Sequence, residues 1–233
     1  MFKWIRRAIL VLLVFILIGV GIIGGLGFVD YQEAVKQETL SDKVEDLKNS
    51  ENYVTIDKIA PDFLNAVVAI EDHRFYEHGG IDYISLVRIT IANIMAKDIL
   101  GGGSTITQQL AKNFYFMDSL NFTRKVSEAF VAKDLERNYT KDEILEMYVN
   151  VIYYGDNHYG IYQASQGYFK VDPSELSLAQ ASMLAGLPQA PSVYALSNGN
   201  KNSYKRQEEV LKAMIKYEYI TNKQFMNALK EEL

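Results

Sequence analysis

The sequence contains no cysteine. That absence excludes a disulfide framework, a thiolate metal site and a cysteine nucleophile, and it permits an oxidising compartment without indicating one. Positive charge is also scarce. Lys3, Arg6 and Arg7 are three of the 24 basic residues and the only charges before Asp30, so the remaining 21 face 29 acidic residues. A nucleic-acid partner calls for the opposite balance, and that class is set aside. No stretch alternates apolar and polar residues long enough to demand a large sheet. Internal repeats and low-complexity tracts are missing too. What the chain does have is hydrophobic material, 48% of its 233 residues. That is too much for a disordered chain and enough for one domain with a full core, with room for an anchor.

The anchor is plain. Residues 8–29 read AILVLLVFILIGVGIIGGLGFV, 22 positions without a charge. A helix needs about 20 such residues to cross a bilayer. A cleaved signal peptide has a shorter apolar core, about 7–15 residues, and a small-x-small cleavage site. This run is longer and ends in GLGFVD, which favours a retained anchor. Being apolar on every face, it does not read as a one-sided core helix. The basic residues precede it and Asp30 and Glu33 follow, so the positive-inside rule places the N-terminus in the cytoplasm and the rest outside. The expected organisation is a cytoplasmic tail 1–7, a transmembrane helix 8–29, a polar extracellular spacer 30–52, partly helical and with Val35, Leu40, Val44 and Leu47 as its scattered apolar positions, and a domain over 53–233.

The domain reads as mainly α-helical. Pro61 suits the first turn of a helix running through Phe63, Leu64, Val67, Val68 and Ile70. Asp82 is placed to cap a helix carrying Ile84, Val87, Ile91 and Ile94 on one face. Four pairs have capping-box spacing: Thr105 with Gln108, Thr140 with Glu143, Ser177 with Gln180 and Thr221 with Gln224. Pro188 ends the run LSLAQASMLAGL.

Three stretches carry candidate chemistry. In AIEDHRFYEHGG, residues 69–80, His73 and His78 are five apart and do not stack as i, i+4 ligands would, so no protein metal site is expected. Glu71 ends an apolar helical run. At the edge of a core, desolvation raises a carboxylate pKa toward the range of a general base; a structural salt bridge is the equal alternative. In GGGSTITQQLAKN, residues 101–113, glycines before a helix start allow backbone N–H groups to approach a phosphate, but no Gly-Lys-Ser/Thr follows, so this is not a Walker A loop. Ser104, Thr105, Gln108 and Gln109 add uncharged polar groups and Lys112 a cation; a flexible linker and a capped helix explain the stretch equally well. In RKVSEAFVAKDLERNYT, residues 124–140, Arg124 and Lys125 open a helix against its dipole, and Glu128 is the i, i+4 partner of Arg124 that offsets them. A phosphate ligand would do the same.

Taken in order, these motifs resemble the peptidoglycan glycosyltransferases of glycosyltransferase family 51 over about residues 59–194. EDHRFYEHGG matches ED-x-x-F-x-x-H-x-G through Glu71, Asp72, Phe75, His78 and Gly80. GGSTITQQLAKN, RKVSEAFVAKDLE and KDEILEMYVNVIYYGDNHYGIYQASQGYF match the next three motifs, and LSLAQASMLAGLPQAPSVY is similar to the fifth. The sequence ends at Leu233 without a penicillin-binding domain, so the monofunctional membrane form is the expectation. The resemblance implies a lysozyme-like helical fold with a smaller membrane-facing lobe. It implies lipid II as donor and acceptor, joined into β-1,4 glycan with inversion and loss of undecaprenyl pyrophosphate. Glu71 matches the general base. Glu128 matches a second acid, which orients groups or helps hold a pyrophosphate-bound cation. Arg88, Lys112, Arg124 and Lys125 match basic positions near the phosphates, and His78 a loop-bracing position. No organic cofactor is implied, only Mg²⁺ or Mn²⁺ bound through the pyrophosphate. The implied partners are lipid II, the growing strand, the membrane and other cell-wall synthases.

One position departs from the pattern. Leu120 stands where the family commonly has an arginine that holds the donor pyrophosphate, so a weaker clamp relying on Lys112, Arg88 and a divalent cation is expected. Two rival readings are disfavoured. A glycan-cleaving enzyme of lysozyme-like fold needs a protonated acid and has no use for four basic residues at phosphates. An inactive membrane-tethered scaffold has no need of both acids.

Overall fold

The computed structural model describes residues 2–96, 103–117, 119 and 121–233. Gly101, Gly102 and Leu120, singled out above, lie outside the described residues. The chain is mainly α, as expected, and among the described residues the only β pairing is an isolated bridge between Tyr153 and Tyr159. The helices are α1 (Phe2–Gln37), α2 (Leu40–Lys48), α3 (Pro61–Glu71), α4 (Tyr83–Ala96), α5 (Ile106–Tyr115) and α6 (Arg124–Asn138). They continue as α7 (Lys141–Val151), α8 (Gly160–Phe169), α9 (Leu178–Gly186), α10 (Pro191–Tyr194), α11 (Asn200–Lys216) and α12 (Asn222–Ala228).

Helix starts follow local chemistry. All four capping boxes read from the sequence form, with the hydroxyl accepting from the N3 amide and the N3 side chain reaching back. Thr39 and Asp42 make a fifth at α2. Pro61 occupies the first turn of α3. Asp82 Oδ1 accepts from the amides of Ile84 and Ser85, both at 3.0 Å, and so caps α4. Pro188 falls in the short 3₁₀ turn that closes α9.

The core is built around α9. Its residues are small or slim, Ala179, Ala181, Ala185 and Gly186 among them, and nearly all of the helix is buried. Small side chains let α3 and α11 pack against it closely and against each other, with Phe63 and Val67 of α3 and Val210 and Met214 of α11 all buried. Burying one such large side chain is worth about 1.5–3 kcal/mol. Helix α5 packs between α6 and α7 in the same core.

Helix α1 is the one described helix long and apolar enough to cross a membrane, and its apolar side chains, such as Phe15 and Leu17, are exposed. It does not stop at Val29. Its last turns pack on α6: Phe28 meets the Phe130 ring edge-on at 5.2 Å, Ser127 Oγ donates to the Gly27 carbonyl at 2.9 Å, and Tyr31 donates to Asp134 at 2.5 Å. Residues 30–52, read as a polar spacer, hold the end of α1 and all of α2. There Val44 is buried and Leu40 and Leu47 pack on the core. A second apolar surface lies on α4, where Ile84, Val87, Ile91 and Ile94 are all exposed.

The segment before α3 is clipped to α7. Asn150 accepts from the Val54 amide at 2.9 Å and donates to the Val54 carbonyl at 2.8 Å. Glu146 accepts from Tyr53 at 2.5 Å and from the Ile56 amide at 2.7 Å. Asn150→Ala strands the buried Val54 amide and carbonyl and should lower stability by about 1–3 kcal/mol. Urea unfolding would report this as a lower midpoint at unchanged slope; an unmoved midpoint would mean that water or backbone replaces the amide.

Candidate active site

Glu71 is the last residue of α3, so the apolar helix delivers its carboxylate to the edge of the core. The side chain is only 11% exposed. Two clefts meet there. The larger, about 670 Å³, is lined by Gln109, Lys112, Asn113, Lys125 and Arg206. The smaller, about 390 Å³, is lined by His73, Ser85, Arg88, Lys216 and Tyr217. Ile70, Glu71, Ile89 and Ser104 line both. Gln109 Nε2 donates to Glu71 Oε2 at 2.7 Å, and Gln109 Oε1 accepts from the Tyr148 hydroxyl at 3.1 Å. The tyrosine therefore fixes which end of the amide faces the carboxylate. Arg206 Nη2 lies 3.8 Å from Glu71 Oε1. Burial raises the Glu71 pKa above the ordinary carboxylate value, and the Gln109 hydrogen bond and the Arg206 charge draw it partly back.

The neighbouring acid does a different job. Asp72 Oδ1 faces His78 Nε2 at 2.8 Å, and Asp72 Oδ2 accepts from the Ile106 amide at 3.1 Å, at the N-terminus of α5. The other ring nitrogen of His78 meets the Gly79 carbonyl. Burial works against the imidazolium, but the two oxygens on its ring nitrogens outweigh that and raise its pKa. His78 thus braces the loop, and Phe75 is fully buried beneath it. Gly80 is required by contact: a Cβ there would come within 2.9 Å of the Ala132 backbone in α6. Its carbonyl accepts from the Thr105 hydroxyl at 2.7 Å. Thr105 and Gln108 are thereby spent on the loop and on the cap of α5, although Thr105 also lines the smaller cleft.

Glu128 is fully buried in α6. Lys125 Nζ meets its Oε2 at 2.5 Å and Arg124 Nε approaches its Oε1 at 3.3 Å without hydrogen-bond alignment. Lys125 also donates to Ser104 Oγ at 3.0 Å, which ties the glycine loop to α6. Arg124 is turned to the Ser119 carbonyl and lines neither cleft. The basic pair that opposes the α6 dipole is therefore offset internally by Glu128. Lys112 and Arg88 face the clefts and, among the described residues, neither has a carboxylate partner. The burial of Glu128 and its two cations leave it unsuited to ligate a metal directly. Among the described residues, the cluster with metal-ligand spacing is Asp72, His78 and Asp82. Its atoms are already committed to each other, to helix amides, to Ser85 and to Arg74.

The sequence reading missed Arg206 and Tyr148 as neighbours of Glu71. Tyr148 lay inside a quoted motif without a role of its own. Arg206 lies on α11, beyond the stretch that carries the resemblance, in a polar run whose buried face has no local mark. His73 stacks on Tyr217 with ring centroids 4.3 Å apart, another contact between distant segments.

The Transglycosylase family profile matches residues 37–215. Penicillin-binding protein 1A of Neisseria flavescens is 45% identical over 181 residues, 78% of this chain and 23% of that protein. Its namesake from Aquifex aeolicus is 44% identical over 181 residues, 78% of this chain and 25% of that one. The crystal structure of penicillin-binding protein 1A from Haemophilus influenzae aligns with a TM-score of 0.48 and 23% identity, covering 78% of this chain and 17% of that one. The chain thus spans about a quarter or less of the length of these relatives.

Gln109→Leu removes the donor to Glu71 and should move the Glu71 pKa further up, because burial is then less opposed. Carbon-13 NMR of the glutamate side-chain carboxyls against pH would follow it. An unmoved titration would show that the amide does not hold the carboxylate.

Proposed function

The chain belongs to the Transglycosylase family, and we propose that it polymerises lipid II into β-1,4-linked glycan at the outer face of the cell membrane, with Glu71 as general base. The observation that carries this reading is a carboxylate of raised pKa at the junction of two clefts in which, among the described residues, Lys112 and Arg88 have no carboxylate partner. A sugar hydroxyl is a poor nucleophile and needs a base within hydrogen-bond reach. A departing pyrophosphate needs positive charge already in place where its own charge develops.

The step balances as an inverting displacement. The acceptor 4-hydroxyl oxygen forms a bond to C1 of the donor sugar and gives its proton to Glu71. The C1–oxygen bond to phosphate breaks, and undecaprenyl pyrophosphate leaves with the electron pair. Lys112 in the larger cleft and Arg88 in the smaller supply the uncompensated charge, Lys125 adds an ammonium already held by Glu128, and Ser104, Gln109 and Asn113 add hydrogen-bonding groups. Glu128 acts through Lys125, holding that ammonium against the glycine loop. A divalent cation would arrive on the pyrophosphate itself, and no step is routed through it.

A lipid-linked substrate calls for an enzyme seated at the bilayer. Helix α1 is the anchor, with its basic N-terminal residues in the cytoplasm. The exposed apolar face of α4 borders the smaller cleft through Arg88, Ile89 and Ala92. Its position beside the cleft favours an interfacial role over a chance patch.

Glu71→Gln should cut turnover of purified lipid II by about 10²–10⁴, the usual scale for a general base, while still retaining lipid-linked donor. Glycan strands formed at near wild-type rate would show that another group takes the proton. Shortened glycan from finished polymer would point to a cleaving enzyme instead. The absence of cysteine makes the membrane contact easy to probe. Ile94→Cys, labelled with a polarity-sensitive fluorophore, should shift to the blue when the protein is reconstituted in liposomes. An emission maximum typical of water would place α4 off the bilayer.

A further inference from the structure

Glu71 is nearly out of water, yet a general base must be ionised when substrate arrives. The groups facing it come from four places. Gln109 donates from α5, and Tyr148 from α7 acts on that amide. Asp72, next in the chain, adds a repelling charge, and among the described residues the attracting charge comes from Arg206 on α11. Tyr154 is fully buried nearby and stays neutral, its pKa driven well up by burial.

Arg206 is held on every side. Its side chain is 9% exposed. Nε donates to the Gly186 carbonyl at 3.2 Å, Nη1 donates to Glu209 at 3.1 Å, and the guanidinium lies 5.9 Å from the Tyr194 ring centre. That leaves Nη2 directed at Glu71. The backbone of α9 is cut away to admit it: a Cβ at Gly186 would stand 2.8 Å from Arg206 Cγ. A buried cation fixed by a carbonyl, a carboxylate and a ring, and seated over a glycine notch, is more built than packing alone requires.

We propose that Arg206 is a positioning residue that keeps Glu71 ionised and oriented for the reaction, and that Gly186 exists to make room for it. This rests on the reading of Glu71 as general base. A planar, permanently charged guanidinium suits the task, since it spreads its donors over three partners in one rigid plane. An opposite charge within about 4–6 Å lowers a carboxylate pKa by about 1–3 units. Removing it raises the Glu71 pKa, so at fixed pH a smaller fraction of enzyme is base-competent, and raising the pH restores that fraction.

The test is the pH dependence of kcat/KM for lipid II polymerisation by the full-length protein in detergent. Arg206→Met should move the acidic limb up by about 1 unit, with activity recovering on the alkaline side. Arg206→Lys should leave the limb nearer its wild-type place. Gly186→Ala keeps the charge but displaces Arg206, and should move the limb in the same direction as Arg206→Met. It also keeps the proposal testable if Arg206→Met does not fold. An unmoved limb in a folded Arg206→Met or Gly186→Ala protein would overturn the proposal, as would a loss equal at every pH. Glu71→Gln, assayed alongside, separates the two ideas. If it is inactive while the limb stays put in the Arg206 variants, only the role of Arg206 fails; if it is active, the base assignment fails first.

Discussion

A carboxylate drawn out of water and faced by a donor and a cation is the constraint on which the rest of this structure turns. Burial raises the proton affinity of Glu71, and its partners Gln109 and Arg206 keep that rise in bounds. The burial comes from α3 ending inside the core. The partners come from α5, 38 residues on from Glu71, and from α11, 135 residues on from it. The packing of α3 and α11 on the small-residue surface of α9 is therefore also what assembles the site.

The other acids are committed to architecture. Asp72 ties the loop of His78 to the N-terminus of α5, so the helix that carries Gln109 and Lys112 is set from the same loop that follows Glu71. Glu128 holds Lys125 against Ser104 and so joins α6 to the glycine loop. Because α1 is bonded to α6 through Gly27 and Tyr31, the apolar helix and the glycine loop, which Lys125 holds, share one support. On the proposed reading, that joint sets the height of the site above the membrane.

Much of this was legible in advance because it is local. Capping boxes and the proline in the first turn of α3 depend on neighbours within four residues, the uncharged run of α1 on composition alone, and all appear where the sequence puts them. The extension of α1 to Gln37 and the burial of Val44 were not legible. Their periodic signal is weak in a polar stretch, and their stability comes from α6 and the core. Arg206 was hidden for a similar reason. It sits among Lys205, Glu208 and Glu209, and nothing in that run marks which charge turns inward.

Adjacent acids show the division most clearly. From the sequence alone the chain has a membrane-crossing helix, a helical domain and an inventory of acids and cations in ordered motifs, because composition, helical period and capping act at short range. It does not say why Glu71 and Asp72, one residue apart, have different fates. The end of α3 decides that. Glu71 is still helical and points to the clefts, whereas Asp72 has left the helix, with φ −158° and ψ 74°, and turns to His78 and α5. Only the packing of distant helices determines which carboxylate meets Gln109 and Arg206 and which becomes a brace, since desolvation and charge act through space and not along the chain.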